Sequence, residues 1–201
     1  TYGVSRITVR RAIGDLVAEG RLRRVRGKGT FVAPNPLVSR LHLASFSDEM
    51  GLQKVTASSR ILLGERSTAP EDVCEFFNTE STVAHTHLRR LRLGDGEPYS
   101  IDDGWYNSTF APTLLENDIY NSVYAILGST FDVPITEAEQ TVTAVAADEE
   151  IAALLDVPPA TPLLHITRFA RSGDRPVEWC SSVYRTDRYR LTTRVARENS
   201  I

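Results

Sequence analysis

Residues 1–32, TYGVSRITVRRAIGDLVAEGRLRRVRGKGTFV, read as a capped helix followed by a basic hairpin. Ser5 is a natural N-cap, because its hydroxyl can accept a bond from the free backbone N–H groups of the first turn. Val9, Ala12, Ile13, Leu16 and Val17 then recur with the spacing of one buried helical face. Arg6 and Arg10 lie one turn apart on another face, with Thr8 and Arg11 beside them, so a row of donors looks outward. Gly20 is placed to end the helix, since glycine takes the left-handed conformation that closes it. A strand over 21–26 then enters the turn Gly27-Lys28-Gly29 and leaves through Thr30, Phe31 and Val32. A helix suited to the major groove, followed by a cationic hairpin suited to phosphates, is a DNA-binding signature.

Charge is divided the same way. Residues 1–34 hold eight Arg or Lys against Asp15 and Glu19, a net of +6, while the 201-residue chain as a whole carries −3 and the remainder therefore −9. A basic nucleic-acid module joined to an acidic module with another task is the reading this asymmetry supports. The apolar content of 41% is ample for a sizeable core. No run of eighteen apolar residues and no cationic leader with an apolar segment occurs, so a cytoplasmic location is expected and a membrane partner is not. Cys74 and Cys180 lack CxxC spacing, which indicates neither a disulfide framework nor a zinc site, and no cofactor is expected.

Pro34 and Pro36 interrupt any regular element and place a boundary near residues 33–36. Beyond it, residues 55–65 and 83–93 read as strands, with a helix from Pro70 to Phe77 between them. Residues 97–106 pair back through Gly94-Asp95-Gly96, two helical pieces follow at 110–117 and 120–128, and a strand covers 136–146. Asp148 caps a helix through Leu155, and 162–171 with 176–185 form a hairpin across Ser172-Gly173-Asp174. Strands joined mainly by hairpins, with helices inserted, predict an α+β domain built on a largely antiparallel sheet. No internal repeat or low-complexity tract is visible.

At this point two resemblances emerge. GVSRITVRRAIGDLVAEG and RGKGTFV resemble the winged helix-turn-helix of the GntR family of bacterial transcription regulators. That resemblance implies base and phosphate contacts from Arg6, Thr8 and Arg10, with Arg11 in the same outward row. It also implies that Ser5 caps the helix and touches phosphate, and that Gly27 nears the minor groove with Lys28 beside it. Against that family the chain starts where the preceding helix ends, so residues 1–34 correspond to the C-terminal part of the winged helix-turn-helix, its first helices absent. LRRLRLGDGEPYSIDDGWY, NSVYAIL and TVTAVAADEEIAALLDVPPATPLLHITRFARSGDRPVEWCSSVYRTDRYRL resemble the UTRA effector-binding domain of the HutC subfamily. This implies a chorismate-lyase-like fold over residues 46–201, joined by a linker at 35–45, that binds a small molecule without breaking it down.

The candidate effector site follows residue by residue. Arg90 and Arg92 alternate along one strand and project from the same face, two guanidiniums suited to a phosphate or carboxylate. The resemblance implies that they hold the anionic end of the effector, with Ser45, Phe46 and Ser47 forming a loop that helps cradle it. It likewise implies that Asp102 accepts bonds from ligand hydroxyls, that Ser122 and Tyr124 line the pocket from a short helix, and that Glu178 and Tyr184 form the opposite wall. Asp103 points to the other face of its strand. Such a cleft fits a polar ligand with one anionic end; a sugar phosphate is favoured, with a carboxylate or another small anion as the alternatives.

Three other motifs carry less. Gly27-Lys28-Gly29-Thr30 lacks the spacing and strand-to-helix context of a phosphate loop. His85 and His87 share a strand face without a third ligand at suitable spacing, so no metal is expected. Cys180 lies in an apolar strand and reads as core, and no serine falls in a GxSxG elbow. The combined expectation is a one-component transcription regulator, a repressor, that binds an inverted-repeat operator as a homodimer and answers to a small anion. The alternatives are a chorismate-lyase-like enzyme and a ligand-binding module without a DNA-binding role.

Overall fold

The computed structural model describes residues 5–18, 21–25, 27, 29–32, 37–40 and 43–193. Helix α1 (Arg6–Ala18) is followed by strands β1 (Leu22–Val25) and β2 (Gly29–Val32), an antiparallel hairpin. Ser5 caps α1 as expected, its Oγ accepting from the Thr8 backbone N–H at 3.2 Å. Gly27 and Gly29 have φ of 75° and 117°, the left-handed region that glycine enters without strain, and this lets the hairpin tip close. The expected helix stop at Gly20, the strand residue Arg26 and the boundary prolines lie outside the described residues.

Strand β3 (Leu37–Arg40) and helix α2 (Phe46–Leu52) come next, then β4 (Ala57–Thr68), α3 (Glu71–Phe77), β5 (Ala84–Gly94) and β6 (Glu97–Tyr106). A 3-10 turn at Leu114–Glu116 leads to α4 (Val123–Phe131), β7 (Glu137–Ala146), α5 (Glu149–Leu155), β8 (Pro162–Ser172), β9 (Arg175–Arg185) and β10 (Tyr189–Thr192). Six strands form one sheet in the order β4-β5-β6-β9-β8-β7, every neighbouring pair antiparallel. The α+β fold with an antiparallel sheet is therefore as the sequence predicts. Two differences are informative. Part of the segment read as a linker is β3, which pairs in parallel with β10. The helical piece expected over 110–117 contracts to the 3-10 turn, because Asn107 takes the backbone bonds of Phe110 and Ala111 and the chain turns there.

The sheet is also an internal repeat. The units β4-α3-β5-β6 and β7-α5-β8-β9 correspond in order, with the element starts Glu71 and Glu149, Ala84 and Pro162, and Glu97 and Arg175 each 78 positions apart. Asn78 and Asp156 both end their helices in the left-handed conformation, and Asp95 and Gly173 both turn their hairpins with positive φ. The register of the central pair is symmetric about Asp103↔Ser181, themselves equivalents, so a pseudo-two-fold axis passes between β6 and β9. Few identities survive between the halves, Arg90 with Arg168 and Tyr106 with Tyr184 among them, which is why the repeat is invisible in the sequence.

Strand alternation gives the sheet two faces. On one, α3 and α5 bury Val73, Phe77, Ala152 and Leu155 against Leu91, Ile101, Trp105 and Leu163. On the other, α4 and the 3-10 turn set Leu114, Val123 and Leu127 against Leu88 and Tyr106. Beside them α2 lays Phe46 and Met50 against Tyr99, Ile166 and Tyr184. Each fully buried Leu contributes about 1.5–3 kcal/mol of transfer free energy, so these clusters hold the helices down firmly. Between α2, α4 and the sheet a cleft remains.

Candidate functional site

The cleft holds about 480 Å3 of unfilled space, mouth included, and is lined from four strands and two helix starts. Arg90 and Arg92 of β5, Asp102 of β6, Arg168 of β8, and Glu178, Cys180, Ser182 and Tyr184 of β9 come from the sheet. Ser45 and Phe46 enter from the start of α2, and Ser122 and Tyr124 from the start of α4. Every effector-site residue expected from the sequence lines it except Ser47. That residue touches the site through Arg92, its Oγ accepting from Arg92 Nη2 at 3.1 Å.

Two helix caps meet at the mouth. Ser45 accepts from the Asp48 N–H at 3.2 Å while Asp48 Oδ2 accepts from the Ser45 N–H at 3.0 Å, a capping box that fixes α2. Ser122 caps α4 by accepting from the Ala125 N–H at 3.3 Å, and its hydroxyl also donates to Ser45 Oγ at 3.3 Å. Arg90 and Arg92 are both anchored beside these caps. Arg90 Nη1 donates to the Ile119 and Asn121 carbonyls, which tie it to the loop before α4. Arg92 lies 4.7 Å over the Phe46 ring. Asp102 Oδ2 stands 3.8 Å from Arg90 Nη2 and 3.7 Å from Arg92 Nε, beyond hydrogen-bond reach, while Asp102 Oδ1 accepts from Ser182 at 2.9 Å.

The result is an unfilled demand for acceptors. Arg92 is 2% exposed, yet its Nε and Nη1 find no hydrogen-bond partner among the described residues, nor does Arg90 Nε. Burial, followed by the like charge of Arg90, pulls the Arg92 guanidinium down to about 10. A buried N–H group without an acceptor costs about 1–3 kcal/mol, which an incoming anion would recover.

At the other end Tyr124 donates to Glu178 Oε2 at 2.5 Å and accepts from Arg168 Nη1 at 3.1 Å. Burial, then the Glu178 charge, holds the Tyr124 hydroxyl well above its ordinary range, so it stays protonated as a donor. Burial and Glu178 likewise keep the Cys180 thiol protonated, 3.4 Å from Ser182. Cys180 is buried, as the sequence expects, and also lines the cleft. Arg168 and Ser182 are the polar cleft residues the sequence reading missed. Arg168 is the repeat equivalent of Arg90, an equivalence that emerges from the element order and not from the sequence alone.

The remaining motifs fall elsewhere. His87 bonds Asp103 at 2.6 Å on the opposite face and stacks on Trp105. His85 is buried; it accepts from the Ser108 N–H through Nδ1 and bonds Thr79 through Nε2, and burial, then Arg66, lowers its pKa. Among the described residues no cluster of three or more His, Cys, Asp or Glu could hold a metal, and no helix is long and apolar enough to cross a membrane.

On α1 the side chains of Arg6, Thr8, Arg10 and Arg11 are exposed, and the Thr8 hydroxyl bonds Ser5 Oγ at 2.9 Å. Gly27 sits in the hairpin turn with open space around it, and Lys28 lies outside the described residues.

A capped basic helix with its hairpin, on the same chain as an α+β domain enclosing a cation-lined cleft, defines the class of ligand-responsive transcription regulators. Comparison with known proteins agrees. The gntR family of bacterial regulatory proteins matches residues 1–32 and the UTRA domain matches residues 52–190. The HTH-type transcriptional repressor NagR of Bacillus subtilis is 31% identical over 191 residues, covering 94% of this chain and 78% of that protein. A probable fructoselysine utilization operon transcriptional repressor of Escherichia coli is 31% identical over 195 residues, covering 95% of this chain and 79% of that protein. Among solved structures, PhnF from Mycobacterium smegmatis superimposes with a TM-score of 0.76 at 26% identity, over 98% of this chain and 88% of that one. The chain belongs to the GntR family of bacterial transcription regulators, HutC type, with a UTRA domain. Its relatives are regulators, not enzymes.

Proposed function

We propose that this regulator represses transcription by holding an inverted-repeat operator as a homodimer, and that a small anion in the cleft changes that hold. In this reading residues 1–34 belong to the DNA-reading module, 35–45 connect it, and 46–201 form the effector domain. Arg6, Thr8, Arg10 and Arg11 face DNA, Ser5 caps their helix and touches phosphate, and Gly27 approaches the minor groove with Lys28 beside it. One observation carries the ligand class: the Arg90, Arg92 and Arg168 guanidiniums converge on one cleft, where among the described residues Asp102 and Glu178 are the carboxylates. The site is short of negative charge and of acceptors together. A sugar phosphate fits best, its anion on Arg90 and Arg92 and its hydroxyls toward Asp102, Glu178 and Tyr124; a small carboxylate is the second reading.

By linkage the anion must bind the DNA-competent and DNA-incompetent arrangements with different affinity. Selection of duplex DNA from a random pool by the protein tests the proposal. An inverted repeat is the expected product, released on adding the right phosphosugar or carboxylate. Recovery of no common sequence, or of a repeat that none of these anions releases, contradicts it.

A further inference from the structure

Three parts of the molecule meet at Tyr189. A turn at 186–188 folds the chain back, so that the Tyr189 ring stacks on Tyr184 with centroids 4.2 Å apart, and Tyr184 lines the cleft. The Tyr189 hydroxyl donates to Glu49 Oε2 of α2 at 3.3 Å. Its backbone opens β10, which pairs in parallel with β3 from Leu37 to Arg40. Tyr189 is 3% and Glu49 6% exposed, so their bond is shielded from water, where a bond to a carboxylate is strong and its loss is felt.

The elements that Tyr189 joins have different duties. Helix α2 serves the cleft: Ser45 and Phe46 line it, while Arg92 donates to Ser47 and lies over Phe46. Strand β3 follows the DNA-reading module in the chain, and only residues 41–45 separate it from α2. The turn before Tyr189 is held to the frame of the domain. Arg188 donates to the Pro98 carbonyl at 3.0 Å and to Glu97 at 2.9 Å, and Arg185 donates to the Leu155 carbonyl at 2.8 Å. Tyr189 is the first residue beyond that anchor. We infer that Tyr189 is the joint that carries occupancy of the cleft to the linker strand. An anion on Arg92 engages the guanidinium that holds the first turn of α2, Glu49 moves with the helix, and Tyr189 passes the shift into β10 and β3. Tyr189 is a positioning residue, acting through Glu49 and Tyr184. The inference deepens the proposed function and rests on its anion reading.

Hydrogen exchange of the full chain, read by mass spectrometry with and without saturating inorganic phosphate and, separately, acetate, tests the inference. In the parent an anion should slow exchange over 45–49. It should also change exchange over 37–40 and 189–192 by at least about fivefold, the lower end of ordinary couplings between sites. Tyr189→Phe keeps the ring that packs on Tyr184 and removes the hydroxyl. Protection over 45–49 should persist in that variant while the response over 37–40 and 189–192 is lost. Glu49→Gln retains an acceptor for Tyr189 and should respond as the parent does. A residue that merely stabilised the fold would raise exchange in free and bound protein alike and leave the response to anion intact. An equal response over 37–40 in parent and Tyr189→Phe, its loss in Glu49→Gln, or protection confined to 45–49 in the parent overturns the joint while leaving the anion reading standing. No effect of either anion on 45–49 overturns both.

Discussion

Arg90 and Arg168 occupy equivalent positions in the two halves of the sheet and deliver their guanidiniums to the same cleft. The pseudo-two-fold axis thus brings together cations that lie far apart in the chain. Arg168→Ala and Arg92→Ala should each weaken binding of the effector anion. Loss of a charge-assisted hydrogen bond costs about 1.5–3 kcal/mol, roughly 10- to 150-fold in affinity. Titration calorimetry measures this, and operator affinity in the absence of effector should stay as in the parent.

Alkaline pH should act through Arg92. Its guanidinium is lowered to about 10 by burial and by Arg90, and a bound anion favours the charged form, so binding takes up protons as that group titrates. Effector affinity is therefore full below about pH 10 and declines as pH rises through that value. Calorimetry at pH 8 and near pH 10, in buffers of different ionisation enthalpy, should show proton uptake only at the higher pH.

Tyr124→Phe removes the donor to buried Glu178 and an acceptor for Arg168. The orphaned groups should lower folding stability by about 1–3 kcal/mol in urea denaturation. Glu178→Gln with Tyr124→Phe should cost less than the two single changes added together, because the two groups bond each other.

At the other end of the chain, Arg6→Ala and Arg10→Ala should each weaken operator binding by about 1–3 kcal/mol for a lost base contact. A lost phosphate contact would instead lower affinity for all sequences and flatten the salt dependence, and fluorescence anisotropy across a salt series separates the two.

The legible parts of this molecule were those set by local chemistry. Ser5, Asp148 and the Asp95-Gly96 turn act within a few residues of themselves, so capping and turn rules place α1, α5 and the β5-β6 hairpin. Alternation alone puts Arg90 and Arg92 on one face and Asp103 on the other. Less legible were features that depend on distant pairing. The β3 strand exists through β10, about 150 residues later, and its short sequence has no signal of its own. Arg168 is one of several polar residues of β8, with His165, Thr167 and Arg171, and the strand pairing is what puts its face toward the cleft. Ser47, expected in the cleft, does not line it but accepts from Arg92, a contact across 45 residues that local rules do not show.

The central claim is that the cleft is an anion receptor reporting through Arg92. Thermal unfolding of the parent and of Arg92→Ala, with inorganic phosphate, a panel of sugar phosphates, small carboxylates and the matching uncharged sugars, tests it most directly. A ligand at a hundred times its dissociation constant stabilises the folded state by about 2.7 kcal/mol. At least one anion should raise the melting temperature of the parent while leaving Arg92→Ala unmoved, and its uncharged counterpart should do nothing. Equal shifts in both proteins, or a response to the uncharged sugar alone, would contradict the account.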